Sequence, residues 1–152
     1  MFLVLEGIDG SGKSEVATKL AEKMGGVVYA TPPERYRQLR RQIDTNSSPE
    51  RHFEFYREAV FAASAEIAEL RAGGKVVICD RYWLTTVVYH RAGGMEVDDS
   101  WFLSLTQPDL TVLLYVSPQV QRQRERRRNA PGGSIDGVQV ELRVGSFHDL
   151  LR

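Results

Sequence analysis

The start of this chain constrains it most. Phe2-Leu3-Val4-Leu5 runs straight into Glu6-Gly7-Ile8-Asp9-Gly10-Ser11-Gly12-Lys13-Ser14, an apolar strand followed by the pattern G-x-x-x-x-G-K-S. Glycines at 7, 10 and 12 permit positive φ, so backbone N–H groups can turn inward around phosphate oxygens at the start of a helix. Lys13 adds a mobile ammonium that reaches β- and γ-phosphates, and the Ser14 hydroxyl is placed to ligate a bridging Mg²⁺. Gly7, Gly10, Ser11, Gly12, Lys13 and Ser14 are therefore the candidate phosphate-binding residues. The motif needs a strand before it and a helix after it. Val16, Leu20 and Met24 recur at helical spacing, and Gly25-Gly26 ends the pattern.

A chain of 152 residues, 42% hydrophobic and 26% charged, supports one core, and residues 1–152 read as a single α/β domain. The lone Cys79 excludes an internal disulfide and sits in an apolar run, which makes it a buried structural thiol. A formal net charge of +0 argues against a generally basic nucleic-acid binder. No window approaches a membrane span and no signal core precedes the first strand, so a soluble, cytoplasmic protein is expected.

Continuous apolar runs at Phe2 to Leu5, Val27 to Ala30, Val76 to Cys79 and Leu110 to Val116 predict parallel strands buried on both faces. Helices are expected from Lys13 to Met24, Glu34 to Ile43 and Glu50 to Arg71, the last carrying Phe53, Val60, Ala63, Ile67 and Leu70 on one side. Others follow Trp83, span about Asp98 to Leu105, and open at Pro118. The stretch Asn129 to Gly137, with Pro131-Gly132-Gly133, reads as a mobile loop before a last helix to Leu151.

At the end of the third run, Val76-Val77-Ile78-Cys79-Asp80-Arg81-Tyr82 places an acid at the carboxyl end of a buried strand. In a chain with a phosphate loop, that position faces Mg²⁺ or its water shell, and the neighbouring Arg81 can neutralise phosphate charge.

The phosphate loop, Pro33-Glu34-Arg35, Asp80-Arg81-Tyr82 with Thr85-Thr86 and Tyr89, and Pro108-Asp109-Leu110-Thr111 together resemble the thymidylate kinase family of nucleoside monophosphate kinases, over residues 2 to about 128. The resemblance implies a three-layer P-loop kinase fold, with a parallel sheet, helices on both faces and a flexible arginine-rich lid at about 122–137. It implies ATP as donor, Mg²⁺, and a pyrimidine nucleoside monophosphate, dTMP first, as acceptor; a homodimer is compatible with it. By the same resemblance Asp9 would bind the sugar 3′-hydroxyl, Arg35 and Arg81 would hold the 5′-phosphate, Phe55 would stack on the base, Tyr89 would crowd the 2′ position, and Glu34 would belong to the nucleotide-binding residues. Since Gly10-Ser11 stand where some members carry an arginine, the catalytic arginine would come from the lid, with Arg124, Arg126 and Arg128 in register. Arginines delivered by a closing segment suit phosphoryl transfer, which needs charge stabilisation and exclusion of water.

The chain departs from the family pattern in three places. Four residues after Phe55, where an arginine usually reads the thymine carbonyl, it has Ala59; Arg57 lies on another helix face. His90 stands where glutamine is common. The family's final strand and helix have no counterpart before Arg152. Ala63-Ser64-Ala65-Glu66-Ile67-Ala68 also resembles the UMP/CMP kinase branch, so a uridylate or cytidylate acceptor is an alternative. A deoxynucleoside kinase, for which Glu6 is the candidate base, and a non-catalytic nucleotide-binding module are the others. A GTPase is excluded by the lack of Asn-Lys-x-Asp.

Overall fold

Strand β1 (Phe2–Glu6) is buried along its whole length. The pleat explains why: Phe2 and Val4 pack into one layer, Leu3 and Leu5 into the other, and helices cover both. The computed structural model describes residues 1–129 and 141–144. Helix α1 (Lys13–Met24) follows β1, then β2 (Val27–Ala30), α2 (Arg37–Asn46), α3 (Pro49–Ala72), β3 (Val77–Asp80), α4 (Trp83–Ala92), β4 (Leu110–Tyr115), α5 (Pro118–Asn129) and β5 (Glu141–Val144). The sheet order is β2-β3-β1-β4-β5, and β1 to β4 run parallel, as the continuous apolar runs require.

One layer packs Val60, Ala63 and Ile67 of α3 and Trp83 and Val87 of α4 against Phe2, Val4, Val77 and Cys79. The other seats Ala17 and Ala21 of α1 against Leu3, Leu5, Ile78, Val112 and Leu114. Each such aliphatic side chain contributes roughly 1.5–3 kcal/mol by leaving water. Asp109 anchors the start of β1, accepting from the Phe2 N–H at 2.6 Å and lying 3.1 Å from Arg71 Nη2. The Pro108 to Thr111 segment therefore ties β4 to β1 and α3.

Some elements differ from expectation. In α1 the buried residues are Lys13, Ala17 and Ala21, whereas Val16 and Leu20 pack only partly and Met24 is exposed. Lys13 must face the loop, and residues four apart share its face, so the small alanines rather than the larger side chains meet the sheet. The helix expected at Glu34 to Ile43 is a 3-10 turn, Glu34–Tyr36, followed by α2, and the one near Asp98 is a 3-10 segment, Ser100–Ser104. Part of the last expected helix is β5, antiparallel to β4 with Val112 opposite Val144. A strand there pairs backbone groups that β4 would otherwise leave at an edge, and the alternation of Glu141, Leu142, Arg143 and Val144 is its signal. The rest of the expected lid and helix, 130–140 and 145–152, lies outside the described residues.

The register sets Leu5 beside Asp80, so the carboxyl ends of β1 and β3 meet where open α/β sheets bind ligands. No described helix is long and apolar enough to cross a membrane.

Candidate active site

The loop after β1 has the conformation its glycines predict: φ is 143° at Gly7, 78° at Gly10 and 94° at Gly12. At Gly7 a Cβ would lie 2.3 Å from the Leu114 carbonyl oxygen, so space as well as φ excludes a side chain. Gly12 caps α1 in a left-handed conformation with no side-chain cap, which leaves first-turn N–H groups to an anion. Lys13 is buried, and its Nζ donates to the carbonyls of Gly7 at 2.9 Å and Ile8 at 2.8 Å. Burial pulls its pKa below the usual lysine value, and Arg81 adds to the effect. Ser11 is fully buried beneath it.

Ser14 Oγ donates to Asp80 Oδ2 at 2.6 Å, as the paired strand ends dictate. The other carboxylate oxygen, Oδ1, is buried without a hydrogen-bond partner. An unpartnered carboxylate oxygen beside a hydroxyl and a phosphate loop fits Mg²⁺, a hard cation that takes oxygen ligands and shares them with phosphates.

Beside the loop opens a cavity of about 360 Å³. At its sheet end are Asp9, Asp80 and Arg81. Arg81 is the only non-glycine described with positive φ, at 70°, a strained conformation of a kind that clusters at functional sites. The turn aims its side chain: Nη2 donates to Asp9 Oδ1 at 2.5 Å, Nη1 to Thr85 Oγ1 at 3.3 Å, and the guanidinium lies 5.7 Å from the Tyr89 ring centre. Tyr89 is half exposed on the cavity wall.

Helix side chains build the other end. His90 Nδ1 lies 2.6 Å from the Thr86 carbonyl, which can only accept, so that nitrogen carries the proton; Nε2 faces His52 Nδ1 at 2.8 Å. Burial holds the His90 pKa below 6.5, and His52 pushes the same way against the Thr86 bond. Tyr56 donates to Asp44 Oδ1 at 2.8 Å and accepts from Arg40 Nε at 3.0 Å. Burial, then the Asp44 bond, push the Tyr56 hydroxyl up to about 12, so it stays protonated.

Several expected residues are not brought to this cavity. Glu34 pairs with Arg37 at 2.8 Å, and Arg35 pairs with Glu66, which also accepts from Tyr29. Phe55 is 1% exposed and packs against Tyr36 and Tyr56, so the expected base-stacking face is in the core, and Ala59 beyond it is fully buried. Arg57 lies over the Phe53 ring at 5.8 Å. Glu6 is buried, with one oxygen accepting from the Tyr82 N–H at 2.9 Å and the other from Thr85 Oγ1 at 2.5 Å; burial raises its pKa. Both oxygens are engaged, and Glu6 is not on this cavity's wall.

Among the lid arginines, Arg124 is buried and donates to the Gly10 carbonyl at 2.9 Å, while Arg126 is exposed. The side chain of Arg128 lies outside the described residues. Cys79 is buried, and burial pushes its thiol well above the usual value, consistent with an inert structural role. Arg40, His52 and Tyr56 were not singled out by the motifs. For His52 and Tyr56 the signal is the phase of α3, whose buried stripe of Phe55, Ala59, Val60, Ala63 and Ile67 turns them to the cavity; Arg40, on α2, has no such signal.

The family described as thymidylate kinase matches residues 5–137. A probable thymidylate kinase from Staphylothermus marinus is 33% identical over 143 residues, spanning 84% of this chain and 69% of that protein. A thymidylate kinase from Solidesulfovibrio magneticus is 30% identical, spanning all of this chain and 82% of the other. The thymidylate kinase structure from Ehrlichia chaffeensis superposes with a TM-score of 0.64 at 26% identity, covering 83% of this chain and 76% of that one. That from Candida albicans has a TM-score of 0.71 at 23% identity, covering 82% and 66%, which bears on the fold. A phosphate loop, the acid that ends β3 with the arginine after it, and matches of this extent agree: the chain belongs to the thymidylate kinase family.

Proposed function

We propose that this chain transfers the γ-phosphoryl group of ATP to the 5′-phosphate of dTMP, giving ADP and dTDP. The observation that carries the reading is that the phosphate loop and the Ser14–Asp80 pair adjoin a cavity lined by Asp9, Asp80 and Arg81. The relatives named thymidylate kinases support dTMP as the acceptor.

In this reading the loop N–H groups and Lys13 hold the β- and γ-phosphates, the Lys13 ammonium exchanging the carbonyls of Gly7 and Ile8 for phosphate oxygens. Ser14 and Asp80 would hold Mg²⁺, which neutralises charge on the transferring group. Arg81 binds the acceptor phosphate and Asp9 the sugar 3′-hydroxyl. An oxygen of that phosphate attacks the γ-phosphorus as the bond to the β-bridging oxygen breaks. Arg124, which donates to the loop carbonyl of Gly10, is the lid arginine assigned to stabilise the charge that develops. No base is needed, because the attacking phosphate is already ionised. A free nucleoside would need one, and the carboxylate suggested for it, Glu6, has both oxygens engaged. That observation weighs against the deoxynucleoside kinase alternative.

The test is to incubate the protein with ATP, Mg²⁺ and dTMP and resolve the products by ion-exchange chromatography. ADP and dTDP in equal amounts are expected; ADP with inorganic phosphate and no dTDP contradicts the reading.

A further inference from the structure

We propose that Arg40 reads the base of the acceptor, its outer guanidinium nitrogens donating to the exocyclic O4 of a thymine or uracil while Asp44 and Tyr56 fix its orientation. The inference rests on the monophosphate reading above and deepens it.

The two ends of the cavity follow from α4. Thr85 meets Arg81 and His90 meets His52, and five residues at 1.5 Å rise separate these levels by about 7.5 Å. A nucleotide with its phosphate at Arg81 therefore presents its base where α2 and α3 contribute Arg40, His52 and Tyr56. Most polar atoms there are engaged with each other. Tyr56 donates to Asp44 Oδ1, His52 Nε2 lies 3.3 Å from the same oxygen, and His90 Nδ1 is on the Thr86 carbonyl. Arg40 is bound through Nε, at 3.0 Å from the Tyr56 hydroxyl and 3.3 Å from Asp44 Oδ2. This brace holds the guanidinium through Nε, on a side chain 49% exposed that lines the cavity. Besides Arg81, Arg40 is the only arginine or lysine among the described residues lining the cavity.

A guanidinium has five N–H donors and no acceptor. It pairs with a carbonyl at position 4 of thymine or uracil and opposes the amino group that cytosine carries there. A site built to bond a substrate group rejects the analogue lacking it far more strongly than a site that senses only one methyl. Arg40 thus supplies from α2 the donor that Ala59, fully buried in α3, cannot.

Equilibrium binding of dTMP, dCMP and thymidine to the wild type, Arg40→Ala and Tyr56→Phe, measured by titration calorimetry, tests this. Arg40→Ala is expected to weaken dTMP at least tenfold and dCMP less than threefold, with thymidine weakened like dTMP. Tyr56→Phe, which keeps the guanidinium but loosens its brace, should move the dTMP to dCMP ratio the same way by less, and it carries the comparison if Arg40→Ala does not fold. An unchanged ratio overturns the proposal while the kinase reading stands. Equal weakening of dTMP and dCMP with thymidine unaffected places Arg40 on the phosphate and also overturns it. A wild type that binds neither monophosphate removes the kinase reading and this inference together.

Discussion

The two ends of the cavity proposed for the acceptor are built from different materials. The Arg81 end is held by the sheet: Asp80 ends β3 and Arg81 follows it, Asp9 follows β1, and the register of those strands sets Ser14 within 2.6 Å of Asp80. The far end is held by helix packing alone, through contacts that α2, α3 and α4 make with one another at Asp44, Tyr56, His52 and His90. Every nucleotide carries a phosphate, the group proposed for the first end; only the second end would meet what distinguishes one base from another. Changes at the first end should therefore scale all acceptors together, and changes at the second should alter the choice among them.

The largest effect expected is one of stability. Because Phe55 belongs to the core stripe of α3, Phe55→Ala should cost about 3–5 kcal/mol in denaturant unfolding. A loss below about 1 kcal/mol, with weakened nucleotide binding, would return Phe55 to the base site. Next, Lys13→Ala should lower kcat a hundredfold or more, over ~2.7 kcal/mol of transition-state stabilisation, for every acceptor alike; retention of more than a tenth of wild-type kcat sinks the role given to it. Arg81→Ala should lower kcat/KM for dTMP and dCMP by the same factor, about 10- to 100-fold, with ATP binding intact. Lost ATP binding with unchanged acceptor kinetics would move Arg81 to the donor side.

The smallest effect concerns pH. His90 is held below 6.5 by burial, so as pH falls the unfolded chain takes up the proton first. The stability contributed by the neutral ring is present above about 6.5 and lost as pH falls through the lower, folded value. Thermal unfolding from about pH 7 to about pH 5 should show a smaller loss in His90→Gln than in the wild type. Parallel curves would mean that the His52–His90 contact does not govern that range.

The same contrast explains what could be read from residues alone. The phosphate loop, β1 and Asp80 were legible because each is local: a strand, a glycine pattern and an acid at a strand end suffice. Arg40 was not, since nothing in the stretch 37–46 says which face of α2 meets a cavity; that depends on how α2 packs against α3. Phe55 shows the hazard, for an aromatic that family resemblance sends to the base was claimed by the core, and its neighbour Tyr56 lines the cavity instead. Arg35 was likewise drawn to Glu66, a partner 31 positions away, and β5 was hidden in four residues whose alternation is too short to stand out. Arg124 could be selected from the arginine run only once its reach to Gly10 was seen.

Whether the cleft joins a triphosphate to a monophosphate is tested most directly by an acceptor panel. ATP consumption should be measured with dTMP, dUMP, UMP, dCMP, CMP and the corresponding free nucleosides, each at matched concentration with Mg²⁺. Turnover is predicted with pyrimidine monophosphates, greatest with dTMP, and near background with every free nucleoside. Turnover of thymidine equal to or above that of dTMP, or none with any monophosphate, would contradict the monophosphate reading.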